Sequence, residues 1–279
     1  MTDAQMSGYK TAADLTDDVR EALGALLLPL ADNKRLLGIR YSDWMLGAPS
    51  VEAGIACSAM AQDEWGHARI VYSMLKDFGF DPDRLEHDRV SDEYRSVAPL
   101  DADVSSWPRL IALDFLLDTA LTVQFEALRD SRFEPIHYKV SKLLDEERFH
   151  FDHGHGWTIR LAETDAGRDA LTQAFEEAWA HVAGWFGPDD DPVIGVLADA
   201  GVIGVGASAS RARWLGRIGP ALASAGIGLV RAEGDGWTTD SGPDWSGWSV
   251  ERRRLGGGGP DEDTLARARG DRNRDLVID

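Results

Sequence analysis

The chain has 279 residues and a formal net charge of −19, with 48 acidic against 29 basic side chains. This length allows a full hydrophobic core in one domain that carries an extension. The charge argues against nucleic acid or an anionic membrane as a partner, because the sequence has no basic stripe. The apolar runs are too short to cross a bilayer, and the N-terminus lacks a secretion-signal pattern. With its single cysteine, Cys57, the chain is expected to be cytoplasmic.

The first part of the chain contains two long helical patterns. The first spans about residues 16–44, and Pro29 inside it predicts a kink or a join between two helices. The second begins with Ser50 as its N-cap and stops at Gly79, a residue type that favours helix ends. Residues 80–105 are polar and rich in Asp. We expect these residues to form a crossover that spans the length of the bundle.

The remaining helical patterns follow this crossover. They span about residues 106–130, 134–161 and 168–186, with shorter ones at 193–200 and 211–225. Pro108 falls in the first turn of its helix, where proline is tolerated. No segment shows an apolar alternation of period two that is long enough for a sheet. The sequence therefore predicts an all-α fold.

The composition changes near residue 233, where Gly, Asp, Ser and Trp become frequent. We predict a helical bundle domain over residues 1–232 and a Gly/Asp-rich C-terminal extension over residues 233–279. Such a composition favours a segment that is irregular, and either partly docked or disordered. The tryptophans Trp237, Trp245 and Trp248 favour docking of its first part on the bundle.

Two Glu-x-x-His steps lie in separate predicted helices. They are Glu64 with His67 and Glu147 with His150. Residues three apart share a helix face, although one such pair alone is usually a solvated surface. Asp118 lies 29 residues before Glu147 in an apolar run, where an unpaired carboxylate is costly to bury. Ferritin-like di-iron bundles combine two Glu-x-x-His pairs with single carboxylates from two other helices. The five residues are therefore predicted metal ligands in a ferritin-like four-helix bundle with additional C-terminal helices.

The sixth ligand position of such a centre carries a cation in this chain. Counting back 29 or 30 residues from Glu64 reaches Arg35 or Lys34, and helix phase decides which of the two faces the site. We predict that Lys34 is the cation that modifies it. Three carboxylates and one ammonium leave a charge of about −2, which suits one divalent ion or none better than two. Asp32 lies on nearly the opposite helix face and Asp43 lies near the helix end, so neither replaces the missing ligand. We therefore expect zero or one ion, with iron as the candidate metal, and a metal-free bundle in which Lys34 bridges the carboxylates is the alternative.

Several segments resemble the ferritin-like subunits of the multicomponent ring-1,2-phenylacetyl-CoA epoxidase, which acts in aerobic phenylacetate breakdown. The similarity is good over about residues 17–185 and weaker to about residue 225. The segments that carry it are Ala31–Trp44, Ala61–Arg69 with its Gln-Asp-Glu-x-Gly-His step, Phe115–Ala120, Glu146–His150 and Ile159–Ala162. The resemblance implies the ferritin-like fold and a place in that enzyme.

That family contains a catalytic and a structural kind of subunit, and this chain has features of both. The Glu-x-x-His steps and Asp118 match the ligand positions of the catalytic kind, from which Lys34 departs. Residues 38–44 and 159–161 look like the structural kind. The resemblance implies a structural subunit that forms a heterodimer with a second ferritin-like chain, with self-association as the alternative. Two other functions stay open: a catalytic iron-dependent oxygenase that epoxidises an aryl-CoA, and a metal-free or metal-storage bundle unrelated to phenylacetate. No residue is assigned a catalytic role.

Overall fold

The computed structural model describes residues 8–271, and these residues are mainly helical. The helices are α1 (Asp17–Asp43), α2 (Val51–Leu75), α3 (Pro82–His87), α4 (Trp107–Ala112), a π-helical segment (Leu113–Asp118), α5 (Thr119–Ala127), α6 (Glu134–Leu161), α7 (Asp165–Gly184), α8 (Pro192–Asp199), α9 (Ala207–Ser224) and α10 (Glu262–Arg269). None of the helices in this part of the chain is both long and apolar enough to span a membrane.

Four helical rods form the central bundle. They are α1, α2, the continuous rod made by α4, the π-helical segment and α5, and finally α6. The apolar side chains that face inward from all four rods belong to one hydrophobic cluster. Helices α7 and α9 pack on the third rod, and α8 packs on α1. The prediction of an all-α, ferritin-like fold is thus confirmed.

Helix α1 is one unbroken helix, so the predicted join at Pro29 is wrong. Proline lacks the N–H that would bond to the carbonyl four residues earlier. Burial of the neighbouring Leu26, Leu27 and Leu30 holds the helix together across this position. The Asn33 amide also donates to the Pro29 carbonyl oxygen at 2.8 Å. Because α1 continues, residues on both sides of the proline lie on one rod.

The third rod contains a π-helical turn that the sequence patterns did not predict. This turn carries both Asp114 and Asp118, and both side chains are buried. Such turns often occur at functional sites. Helix α6 approaches it closely at Gly154, where an added Cβ would lie 3.1 Å from Phe115 Cα. The glycine therefore allows α6 to pack directly against the segment that carries Asp118.

The described part of the C-terminal extension is ordered and packed on the bundle. It contains α10 and two antiparallel hairpins, formed by β1 (Arg231–Glu233) with β2 (Gly236–Thr238) and by β3 (Trp248–Ser249) with β4 (Arg254–Leu255). These strands are too short to show an alternating pattern in sequence. The Trp237 ring fills the space over Gly219 of α9, and Trp248 Nε1 donates to the Gly184 carbonyl oxygen at 2.8 Å. The division of the chain at residue 232 stays a prediction.

Helix α10 binds α1 near the middle of the bundle. Arg35 Nη2 donates to the Ala268 carbonyl oxygen at 2.8 Å, and Arg40 Nη2 donates to Thr264 Oγ1 at 2.6 Å. Both arginines lie on α1 within two turns after Lys34. The end of the extension thus fixes the helix that supplies the cation of the central cluster.

Candidate metal centre

The five predicted ligands lie in the middle of the bundle. Glu64 and His67 come from α2, Asp118 from the π-helical turn, and Glu147 and His150 from α6; all five are buried. Donor atoms of Glu64, Asp118, Glu147 and His150 all lie within 4.8 Å of one another. The similar spacing in the two halves of the chain puts these residues at one height. Carboxylate oxygens and imidazole nitrogens are donors that iron accepts.

Lys34 extends from α1 into the centre of this group. Its Nζ donates to Glu64 Oε1 at 2.9 Å and to Glu147 Oε1 at 2.5 Å, and it also donates to Asp118 Oδ1. The lysine side chain is fully buried. One ammonium therefore contacts an oxygen of each of the three carboxylates. We call these side chains, together with His67 and His150, the Lys34 cluster.

The two histidines of the Lys34 cluster contact carboxylates on both sides of their rings. His150 Nδ1 lies 2.9 Å from Asp118 Oδ2 and 3.1 Å from Glu64 Oε1, while its Nε2 lies 3.4 Å from Asp63 Oδ2. His67 Nε2 is 2.8 Å from an oxygen of Glu146. Its Nδ1 is 3.0 Å from Glu147 Oε1, although without good hydrogen-bond geometry. The partly exposed Asp63 and Glu146 thus connect the cluster to the α2 and α6 surface.

Three polar residues that sequence reasoning missed complete the surroundings. The Tyr41 hydroxyl lies 3.0 Å from Asp114 Oδ1 and 3.1 Å from Asp118 Oδ2. Thr122 Oγ1 donates to Glu147 Oε2 at 2.8 Å. Helical spacing was the available signal: Tyr41 follows Lys34 by seven residues, and Asp114 and Thr122 lie four residues before and after Asp118. His153, one turn beyond His150, contacts Asp114 at 2.7 Å instead of the cluster.

The charges of the Lys34 cluster depend on one another. Burial disfavours the ammonium, but the carboxylates of Asp118, Glu147 and Glu64 raise the Lys34 pKa well above its ordinary value. Burial likewise opposes a charged His150, yet bonds to Asp118, Asp63 and Glu64 raise its pKa strongly. The neighbouring carboxylates therefore favour the charged forms of both Lys34 and His150. The pKa of His67 is also raised, because contact with Glu147 outweighs its burial.

The carboxylates respond in opposite directions. Burial, together with the neighbouring Asp118, raises the pKa of Glu64 to about 7. Burial by itself would also raise the pKa of Glu147, but Lys34 and both histidines hold that pKa well below the usual range. Glu64 Oε2 also has no hydrogen-bond partner among the described residues. Of these two carboxylates, Glu64 is thus the one that the local cations stabilise less.

The geometry does not fit a centre of two metal ions. Lys34 Nζ already contacts the three carboxylate oxygens that face one another, and helix α1 supplies no carboxylate to this group. Asp32 instead binds Arg89 on another face of α1, and Asp43 pairs with Arg40. The donor set could hold one ion only if the ammonium moved away. In the arrangement described, the cation of the cluster is Lys34.

These features define the class: a ferritin-like helical bundle with buried carboxylates and histidines from paired Glu-x-x-His steps. Residues 5–244 match the family described as Phenylacetic acid catabolic protein, so the chain belongs to that family. The resemblance found in the sequence is confirmed.

Two curated relatives belong to one enzyme of Escherichia coli (strain K12), 1,2-phenylacetyl-CoA epoxidase. The chain is 27% identical to the C subunit of this epoxidase over 195 residues, which cover 69% of this chain and 77% of the relative. It is 25% identical to the A subunit over 150 residues, which cover 53% of this chain and 48% of the relative. The second match thus spans about half of its relative's length.

A solved structure has a similar fold. It is a variant of an R2-like ligand-binding oxidase with an aerobically reconstituted Mn/Fe cofactor. The two chains superpose with a TM-score of 0.55 at 15% sequence identity, over 76% of this chain and 83% of the oxidase. At this identity the similarity concerns the fold alone.

Proposed function

We propose that this chain is a non-catalytic helical subunit of a phenylacetyl-CoA epoxidase-like multicomponent monooxygenase in aerobic phenylacetate degradation. Its role is to pair its bundle with a catalytic ferritin-like subunit, which would act on an aryl-CoA. The observation that carries the proposal is the bonding of the Lys34 ammonium to Glu64, Asp118 and Glu147. A resident cation in that position replaces the ions that oxygen chemistry would need.

The charge balance supports a centre that is stable without metal. Lys34 contacts all three buried carboxylates, and the raised pKa values of His150 and His67 favour further positive charge beside them. Buried charges that are paired and hydrogen-bonded avoid most of the cost of an isolated buried ion. The bundle therefore does not depend on iron for its charge balance, and we expect zero or one ion per chain.

Metal content per chain tests this proposal. The purified wild-type protein, incubated with Fe(II) under anaerobic conditions and then desalted, should retain at most one iron and show no oxygen-dependent turnover. Lys34→Glu restores a carboxylate to α1 and should raise the retained iron towards two per chain. The exposed Lys139 provides the matched control, because Lys139→Glu makes the same charge change on the surface of α6. Two tightly held irons in the wild-type chain would contradict the proposal.

One observation favours a second candidate, a catalytic subunit with a single iron. Four donor atoms from Glu64, Asp118, Glu147 and His150 lie close enough together to surround one ion. If this chain catalyses an oxygenation, Glu64→Ala or His150→Ala should abolish turnover while the far-UV helical signal survives. Unchanged turnover in both variants would exclude this candidate.

A further inference from the structure

The outer face of α2 and α6 is exposed although it lies directly beside the Lys34 cluster. Helix α2 packs mainly on α1, and its contacts with α6 are fewer. Three apolar side chains at the start of this face are largely exposed: Leu46 by 100%, Val51 by 77% and Ile55 by 65%. Phe149 of α6 is 52% exposed. Val51 and Ile55 lie one turn apart on the same side of α2, and exposed apolar side chains on one helix face are typical of an interaction surface.

Two glycines within these helices face open space. At Gly66 of α2 and Gly156 of α6, no atom lies within 4 Å of an added Cβ, so packing within the described chain does not require a glycine there. A glycine inside a helix is less favourable than an alanine. Ala59 lies seven residues before Gly66 and is also exposed. Small residues on both helices allow another helix to approach the surface closely.

A cavity of about 350 Å³ lies at one end of this face, between α2 and α6. Its lining includes Ala53, Ala56, Gly156, Trp157 and His153. The His153 side chain is only 9% exposed, and its Nδ1 is bound to Asp114. Its Nε2 is buried and has no partner within the described residues. A buried polar atom usually finds a partner, and a side chain inserted from another molecule would supply it here.

We infer that this face, defined by Leu46, Val51, Ile55, Ala59, Gly66, Phe149 and Gly156, binds a helical face of a second ferritin-like chain of the same family. The inference rests on the proposed function, since it supplies the surface for the proposed pairing. The similarity of this chain to two different subunits of one enzyme favours such a chain as the occupant. The charge of −19 disfavours a second copy of this chain, because like-charged copies repel.

The same face reaches the Lys34 cluster through two carboxylates. Asp63 of α2 contacts His150, and Glu146 of α6 contacts His67. Both carboxylates are partly exposed, and they lie close to Gly66 and Phe149 along their helices. A partner on this face would cover Asp63 and Glu146. The proposed interface therefore lies against the outer hydrogen bonds of the cluster.

The inference is tested by affinity capture of the full chain from its own host. Mass spectrometry then identifies the chains that are bound to it. The wild type should bring down a second chain of this family. Ile55→Asp and Gly66→Gln should each lower its recovery at least about 10-fold, since an interfacial residue that anchors a contact can contribute more than about 1.4 kcal/mol. Val90 is 54% exposed elsewhere on the molecule, so Val90→Asp is the matched control and should retain the partner.

Thermal unfolding separates an interface defect from a folding defect. Gly66→Gln should leave the melting temperature of the isolated chain unchanged or raised, because glutamine favours helix more than glycine does. Full partner recovery by both variants would overturn the assignment of this face while leaving the proposed function intact. No family chain bound to the wild type would overturn the proposed function together with the occupant. A homodimer that Ile55→Asp disrupts would assign the face to a second copy instead.

Discussion

Two buried ionic clusters lie on opposite sides of α1, and they differ in how charge is balanced. On one side, Asp32 receives Arg89 Nη1 at 3.0 Å and Nη2 at 2.6 Å, the Tyr72 hydroxyl at 2.7 Å and the Arg95 backbone N–H at 2.7 Å. One carboxylate thus pairs with one guanidinium. On the other side, the single ammonium of Lys34 is shared by three carboxylates.

The difference separates a cluster that serves packing from one with the composition of a metal site. The guanidinium of Arg89 also lies 3.9 Å from the centre of the Tyr94 ring, so the charge is enclosed by aromatic groups. Both oxygens of Asp32 are satisfied without an ion. The Lys34 cluster has three buried carboxylates around one ammonium, and two histidines also contact these carboxylates. An excess of carboxylate of this kind is typical of a metal centre, which supports the proposal that Lys34 takes the place of a metal cation.

The largest effect should come from removing the ammonium. Lys34→Met leaves three buried carboxylates without their shared donor, and we expect a loss of about 3–5 kcal/mol in the free energy of unfolding. Denaturant unfolding at neutral pH in the presence of a chelator measures it. Lys139→Met, at an exposed position of α6, should change stability by less than about 0.5 kcal/mol. A Lys34→Met protein as stable as the control would mean that the carboxylates do not need this cation.

A slightly smaller loss of folding stability is expected when the Asp32–Arg89 pair is broken. Arg89→Met leaves only Asp32 unpaired and should cost about 3 kcal/mol. Here the pair can be replaced as a unit, so Asp32→Leu combined with Arg89→Met should recover part of that loss. Neither variant should change the iron retained per chain. A double variant less stable than Arg89→Met alone, measured by the same denaturant titration, would show that Asp32 has a role beyond this pair.

The sequence was sufficient to predict the bundle and five of the residues that meet in the Lys34 cluster. The spacing of the Glu-x-x-His steps and the burial of Asp118 in an apolar run are local features, and helix periodicity converts them into positions on a face. An interval of 29 or 30 residues before Glu64 reaches Arg35 or Lys34, and the structure places Lys34 in the cluster. The spacing of residues within a helix does not depend on the positions of the helix ends, which are uncertain by a few residues.

Contacts between distant segments could not be predicted in this way. Nothing local indicates that Arg35 and Arg40 would bind α10, which lies more than two hundred residues further along the chain. The glycine-rich composition before α10 suggested an irregular tail, whereas tertiary packing orders it. The π-helical turn was missed for a related reason. Three of its six residues are leucine, a good α-helix former, and the turn lies where α6 approaches closely at Gly154, a contact between distant segments.

A moderate effect is expected from the hydroxyl groups that border the two clusters. Tyr41→Phe removes a hydroxyl in contact with Asp114 and Asp118, and should cost about 2 kcal/mol because the hydrogen bond is to a charged group. Tyr72→Phe removes the equivalent contact with Asp32 and should cost a similar amount. The two tyrosine variants are distinguished when each is combined with Lys34→Glu, because only Tyr41→Phe should then alter the iron retained per chain. Equal iron retention in both would remove Tyr41 from the proposed centre.

The last prediction concerns a buried thiol, Cys57, whose pKa is raised by its surroundings. Burial, with a smaller contribution from the Asp114 carboxylate, raises the pKa of the Cys57 thiol to about 12. In the clusters on α1, opposite charges overcome the same desolvation. Because reaction requires the thiolate, Cys57 should react with a maleimide at pH 8 at least about 100-fold more slowly in the native chain than in denaturant. Lys34→Met should speed native labelling only in proportion to global unfolding. Labelling faster than global unfolding allows would show that loss of the Lys34 ammonium lets α2 open locally. The Lys34 cluster would then stabilise the packing of α2, a role that the Asp32–Arg89 pair is not expected to have.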